Sequence, residues 1–151
     1  MSQSLACILV HCVFSTKHRT PLLEDPHVRH QLHAYMTTTL QSLECWPSAV
    51  DGVADHVHFL CMLSRKIRVM DLIEEVKTSS SKWIKTKGSD YHEFYWQGGY
   101  GAFSVSESMR SRVIFYINHQ EEHHRTHTFQ EEYRALCRLH GVEIDERYVW
   151  D

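Results

Sequence analysis

Asp55-His56-Val57-His58-Phe59-Leu60-Cys61-Met62-Leu63 (DHVHFLCML) is the stretch on which the fold turns. Its β-branched and apolar residues predict a strand over 56–63. Side chains two apart on a strand share a face, so His56 and His58 point the same way, with Cα atoms roughly 6.6–6.8 Å apart. Val57, Phe59, Cys61 and Leu63 then face the core. Leu60 and Met62 make the histidine face apolar as well, and two imidazoles at one end of a strand apolar on both faces need polar partners.

Upstream, residues 48–53 suit a short strand that pairs with it through a turn near Gly52 to Asp55. Residues 5–14 (LACILVHCVF) read as another strand, followed by a polar, basic turn, STKHRTP at 15–21. Asp25-Pro26 is a helix start, the aspartate capping and the proline at the first helical position. That helix carries Val28, Leu32, Tyr35, Met36 and Leu40 at helical spacing to about Ser42, and Pro47 breaks the run. Downstream, Val69, Leu72, Ile73, Val76 and Trp83 predict a helix from Val69 to Lys87, with Gly88 as its stop signal. Residues 94–105 (FYWQGGYGAFSV) predict a strand bent at Gly98-Gly99. Helices follow over Ser106 to Gln120 and Phe129 to Leu139, the last ending at Gly141. The order β-α-β-β-α-β-α-α, without repeat or linker, predicts one α+β domain over 1–151: an antiparallel β-sheet flanked by helices.

Composition agrees with a single core. The chain has 151 residues, of which 42% are hydrophobic and 23% charged. No signal segment and no long apolar run is present, so a soluble, cytoplasmic protein without membrane association is expected. Its five cysteines are scattered without a C-x-x-C pair and read as small hydrophobes in a reducing compartment. The net charge of −3 argues against nucleic acid, but charge is unevenly spread. Residues 65–87 carry seven basic groups against three acids, and residues 121–151 carry eight acids against four arginines.

Thirteen histidines raise the question of which do chemistry. His56 and His58 could converge on one metal ion, or simply be two hydrogen-bonded histidines at a strand end. Tyr116 and Gln120, at i,i+4, share a helix face about 6 Å apart along the axis. Gln120 offers a neutral oxygen to a metal and Tyr116 a phenol, which is a poor nucleophile unless a cation or base favours the phenolate. His119 and His123, also one turn apart with His124 adjacent, form a competing metal pair that lacks a third ligand. Lys77 to Lys85 (KTSSSKWIK) mixes cations, hydroxyls and Trp83, which suits phosphate contacts and base stacking, or a solvated face with a core tryptophan. Ser15 to Arg19 (STKHR) is a second basic cluster with the same two readings.

Together these stretches resemble the single-tyrosine HUH transposases of small insertion sequences (the IS200-like transposases), including their REP-associated relatives. The matches are HCVFSTKHRTPLL at 11–23, DHVHFL at 55–60, LIEEVKTSSSKWI at 72–84, WQGGYGAFSVS at 96–106 and YINHQEEHH at 116–124. They occur in the family's order and cover nearly the whole chain. His18 departs from the family, where many relatives carry tyrosine.

The resemblance implies a ferredoxin-like HUH fold and an enzyme of DNA transposition and recombination. His56 and His58 match the family's metal-binding histidines, Gln120 its third ligand and Tyr116 its nucleophile, with Mg²⁺ or Mn²⁺ as the cofactor. The implied activity is cleavage and rejoining of single-stranded DNA through a 5′-phosphotyrosine, with hairpin-containing DNA as the partner in a bacterial cytoplasm. Lys17, Arg19, Lys77, Ser80, Lys82 and Lys85 are the expected DNA contacts. The family includes homodimers that share active sites between subunits and members that act alone. The alternative is a domesticated relative that grips DNA hairpins without productive transposition.

Overall fold

The histidine strand is an inner strand. The computed structural model describes residues 1–151, and its sheet has the order β2-β3-β1-β4. These strands are β1 (Leu9–Ser15), β2 (Pro47–Val53), β3 (His56–Met62) and β4 (Gly101–Val105). All pairings are antiparallel, and β1 runs along β3 from Leu9 opposite Met62 to Ser15 opposite His56. Helix α1 (Pro26–Ser42) joins β1 to β2, and α2 (Val69–Ile84) joins β3 to β4. The result is the expected α+β domain, two β-α-β units interleaved in a ferredoxin-like sheet.

Strand periodicity sorts the side chains onto two unequal faces. Val10, Cys12 and Phe14 of β1 and Val57, Phe59 and Cys61 of β3 enter a core of 17 buried residues beneath α1 and α2. Each fully buried large apolar side chain is worth about 1.5–3 kcal/mol, so this face supplies most of the stability. The opposite face holds two small clusters. Leu9 and Leu60 meet Ala49 and Ile117, while Val13 meets Phe103, Phe129, Tyr133 and Cys137. His11, His56 and His58 share that face. It is covered by α3 (Arg110–Asn118), the short α4 (Gln120–His123) and α5 (Phe129–Leu139).

Local hydrogen bonds set several boundaries, the expected Asp25 cap among them. Asp25 Oδ1 accepts from His27 N at 2.9 Å to cap α1, and Thr128 caps α5 by accepting from Glu131 N. A Cβ at Gly52 would run into the His56 carbonyl, so glycine lets β2 close against β3 beside the first histidine.

Three elements differ from the sequence reading. β1 starts at Leu9 rather than Leu5, because both partner strands end there, β3 at Met62 and β4 at Val105. The strand expected over 94–105 shrinks to Gly101–Val105; Phe94 and Trp96 instead pack edge-on to one another and into the main core. The helix expected over 106–120 breaks at His119, whose φ of −116° and ψ of 28° separate α3 from α4.

His33 of α1 is expected to make the fold acid-sensitive. It is buried, its Nε2 has no partner, and its Nδ1 lies 3.7 Å from Asp51 Oδ1. Burial, reinforced by Arg29, lowers its pKa to about 3. Below pH 6.5 the unfolded chain therefore binds a proton that the native state refuses. Stability falls as pH drops from 6.5 towards 3, by up to about 1.4 kcal/mol per pH unit. Urea unfolding at pH 7 and pH 5 should show the wild type losing about 1–2 kcal/mol more than His33→Gln. Equal losses would show that His33 titrates normally.

Candidate active site

His56 and His58 are both fully buried, and each ring is anchored through Nδ1. His56 Nδ1 lies 2.6 Å from Asp55 Oδ1, and His58 Nδ1 lies 2.8 Å from Nε2 of His11. A third imidazole joins them from the end of α4: His124 Nδ1 lies 2.8 Å from the His127 carbonyl. With Nδ1–H donating in each case, all three rings present an Nε2 lone pair.

These Nε2 atoms converge on Glu132 of α5. Its Oε1 is 2.7 Å from His58 Nε2, 3.1 Å from His124 Nε2 and 3.3 Å from His56 Nε2. Gln120 is buried beside them, with Oε1 3.3 Å from His56 Nε2 and 3.0 Å from His124 Nε2. His56, His58, His124 and Glu132 could hold a metal ion, their donor atoms all lying within 4.8 Å of one another. The fit is chemical as well as geometric. Several lone pairs aimed at one buried point repel unless a cation lies between them, and separations near 3 Å suit ligands on bonds of roughly 2.1 Å.

The electrostatics call for positive charge at the same point. Burial opposes charge on His56, but hydrogen bonds to Asp55 and Glu132 outweigh it and raise its pKa to about 9. For His58 burial dominates and the pKa falls. Burial would raise Glu132, yet the electrostatic pull of His58 and the hydrogen bonds of His124, His56 and His58 hold it well below the usual carboxylate range. A buried carboxylate demands a positive charge here, which a proton on His56 or a metal cation can meet.

Tyr116 sits at the rim. Its phenol donates to Glu132 Oε2, and its ring stands edge-on to His58 with centroids 5.9 Å apart. Burial first, and then the Glu132 charge, holds its pKa well above the ordinary tyrosine range. Although the helix breaks at His119, Gln120 Nε2 still donates to the Tyr116 carbonyl at 3.3 Å. The structure thus brings Tyr116, His56, His58 and Gln120 together within one chain. The competing pair does not converge. His119 is exposed and stacks on Phe115, while His123 stacks on His127 with centroids 4.7 Å apart.

Sequence reasoning missed His124, Glu132 and His11. His124 was read only as the neighbour of the competing His119 and His123 pair, and His11 only as part of HCVFSTKHRTPLL. A signal for Glu132 did exist: it falls on the apolar stripe of α5, between Phe129 and Leu136, where an acid must find a buried partner.

The expected DNA contacts separate into three groups. Lys17 is exposed and Arg19 half-buried in a short turn at Lys17–Arg19, with the Arg19 guanidinium 5.7 Å over the Trp150 ring. Lys77, Lys82 and Lys85 line a cavity of about 330 Å³ with Ser81, Trp96 and Gln97. Lys77 is already engaged: its ammonium donates to the Gln97 and Gly99 carbonyls, and burial lowers its pKa to about 8. Ser80 does not reach this surface. It is fully buried, donating to the Val76 carbonyl and accepting from the Trp96 indole. Trp83 is half-buried and stacked on Tyr35. Since α2 covers the face opposite the histidines, the basic cavity and the tyrosine centre lie on different sides of the sheet.

The class of the protein, a transposase, follows from its family. The chain matches the family described as Transposase IS200 like over residues 4–120, and it belongs to that family. Two solved structures share the fold. A provisionally assigned transposase from Deinococcus radiodurans R1 is 21% identical with a TM-score of 0.61, over 80% of this chain and 98% of that one. A REP-associated tyrosine transposase bound to a REP hairpin is 12% identical with a TM-score of 0.58, over 82% of this chain and 74% of that one. No curated protein matches the chain. No helix is long and apolar enough to cross a membrane.

Proposed function

We propose that the chain cuts and rejoins single-stranded DNA through a covalent 5′-phosphotyrosine at Tyr116. The observation that carries this reading is the meeting, within one chain, of the Tyr116 phenol with the buried His56, His58 and Gln120. In this reading Tyr116 Oη attacks phosphorus in line, the P–O3′ bond breaks, and the phosphate stays on the tyrosine with a free 3′-OH released. One ester replaces another, so a second 3′-OH can reverse the step and join strands without an external energy source.

His56, His58 and Gln120 would hold a divalent cation, which when bound supplies a Lewis acid for a non-bridging phosphate oxygen and favours the phenolate. Asp55 and His11 keep the two histidine rings turned towards it. A set dominated by imidazole nitrogen suits Mn²⁺ better than the oxygen-seeking Mg²⁺. The DNA has a route in: a cavity of about 570 Å³ opens onto Tyr116 and Glu132 between α3 and α5, lined also by Val105, Met109 and Leu136. Because all these groups come from one chain, the centre does not require a partner's tyrosine.

Likeness to a transposase bound to a REP hairpin supports a hairpin partner. The basic cavity on α2 would then hold flanking phosphates rather than the scissile one. Lys82→Ala with Lys85→Ala should weaken binding and reduce the salt slope by about one unit per lost phosphate contact. An unchanged slope would show that α2 presents only a solvated face. The test of the activity itself is incubation with labelled single-stranded oligonucleotides from the DNA flanking the gene, plus Mn²⁺. A covalent protein–DNA adduct is the expected product, and its absence across that set would count against the reading.

A further inference from the structure

We propose that Glu132 is a bridging carboxylate, ligating the divalent cation through Oε1 and holding the Tyr116 nucleophile through Oε2. The inference rests on the metal-and-tyrosine reading above and adds α5 to the active centre. Glu132 lies beyond residues 4–120, the stretch that matches the family. Its side chain is 1% exposed, and its two oxygens divide their partners. Oε1 faces the Nε2 atoms of His56, His58 and His124 at 2.7–3.3 Å, while Oε2 accepts the Tyr116 phenol and lies 3.4 Å from His123 Nε2. Gln120 touches two of the same nitrogens, while Glu132 faces all three and also accepts the nucleophile's phenol.

The helix fixes this position. Phe129 and Tyr133 pack in one cluster with Val13 and Phe103 of the sheet, and Thr128 caps the first turn. A carboxylate on that buried face is costly unless it is fully partnered. A plain structural ion pair would need the histidines only. Here the second oxygen also accepts from the one side chain whose oxygen must be aimed at phosphorus, and aim within a fraction of an ångström governs such rates.

The test combines Mn²⁺ binding isotherms with single-turnover adduct formation at saturating Mn²⁺. Wild type, Glu132→Gln, Glu132→Asp and His58→Gln are compared, with circular dichroism confirming that each is folded. Glu132→Gln should bind Mn²⁺ about 10–100-fold more weakly. Glu132→Asp keeps the charge but is one methylene shorter, so it should recover part of the metal affinity while its adduct rate stays at least about tenfold down. Folded Glu132 variants that bind Mn²⁺ and form adduct as wild type does, while His58→Gln loses the ion, would overturn the bridge and leave the histidine centre standing. A wild-type protein that binds no Mn²⁺ would overturn both.

Discussion

Tyr116→Phe is expected to bind its DNA as the wild type does and to form no covalent adduct at all. Phenylalanine keeps the ring and its edge-on contacts with His58 and His11, so the wall of the site survives. Only the oxygen that reaches Glu132 is removed, at a stability cost of about 1–3 kcal/mol for the acceptor left behind. Seven tyrosines are present, so an adduct by itself does not name the nucleophile. Tyr100 is the apt control, being exposed and 5.9 Å from the Lys77 ammonium on the side of the basic cavity. Tyr100→Phe should cut normally, and mass spectrometry of the wild-type adduct should place the nucleotide on Tyr116. Cleavage that survives in Tyr116→Phe would refute the central reading.

Removal of the metal should be equally decisive. Chelation should take cleavage to background, and adding Mn²⁺ should stabilise the fold, because the three imidazoles and Glu132 come together only in the native state. At a hundredfold excess over Kd, binding to the native state alone contributes about 2.7 kcal/mol. For a chain of this size that raises Tm by roughly 5–10 °C. His58→Gln should abolish the shift. An equal rise in that variant would place the ion elsewhere, with the stacked His123 and His127 as the first place to look.

The two experiments address residues of very different legibility. His56 and His58 were readable because a strand's period of two is strict: once DHVHFLCML is a strand, both imidazoles share a face whatever the rest of the chain does. The Asp25 cap was readable for a similar reason. Asp25 before Pro26 satisfies its own helix start with a local hydrogen bond, whereas the Thr128 cap of α5 emerged only in the structure. Tyr116 and Gln120 were placed on one turn, and they stay together although the helix breaks between them at His119.

Elsewhere local pattern pointed the wrong way or was silent. Phe94 and Trp96 alternate like strand residues but are held by aromatic packing beneath the sheet. Ser80 sits in a basic, hydroxyl-rich run that reads as phosphate-binding, yet the turn of α2 carries it to the buried side, where Trp96 claims it. His11 drew no reading of its own within its strand, and only the register of β1 on β3 brings its ring to His58.

What the sequence by itself determined is the alternation of elements, the shared face of His56 and His58, and the nearness of Tyr116 to Gln120. Each follows from backbone periods acting over a few residues. Tertiary structure alone decided that α5 covers the histidine face and that Glu132, 74 residues along the chain from His58, closes the centre. A period tells which way a side chain points from its own element, but not which other element it meets. That choice is made by burial of Phe129, Tyr133 and Cys137 against Val13 and Phe103, and the carboxylate goes where those apolar neighbours take it.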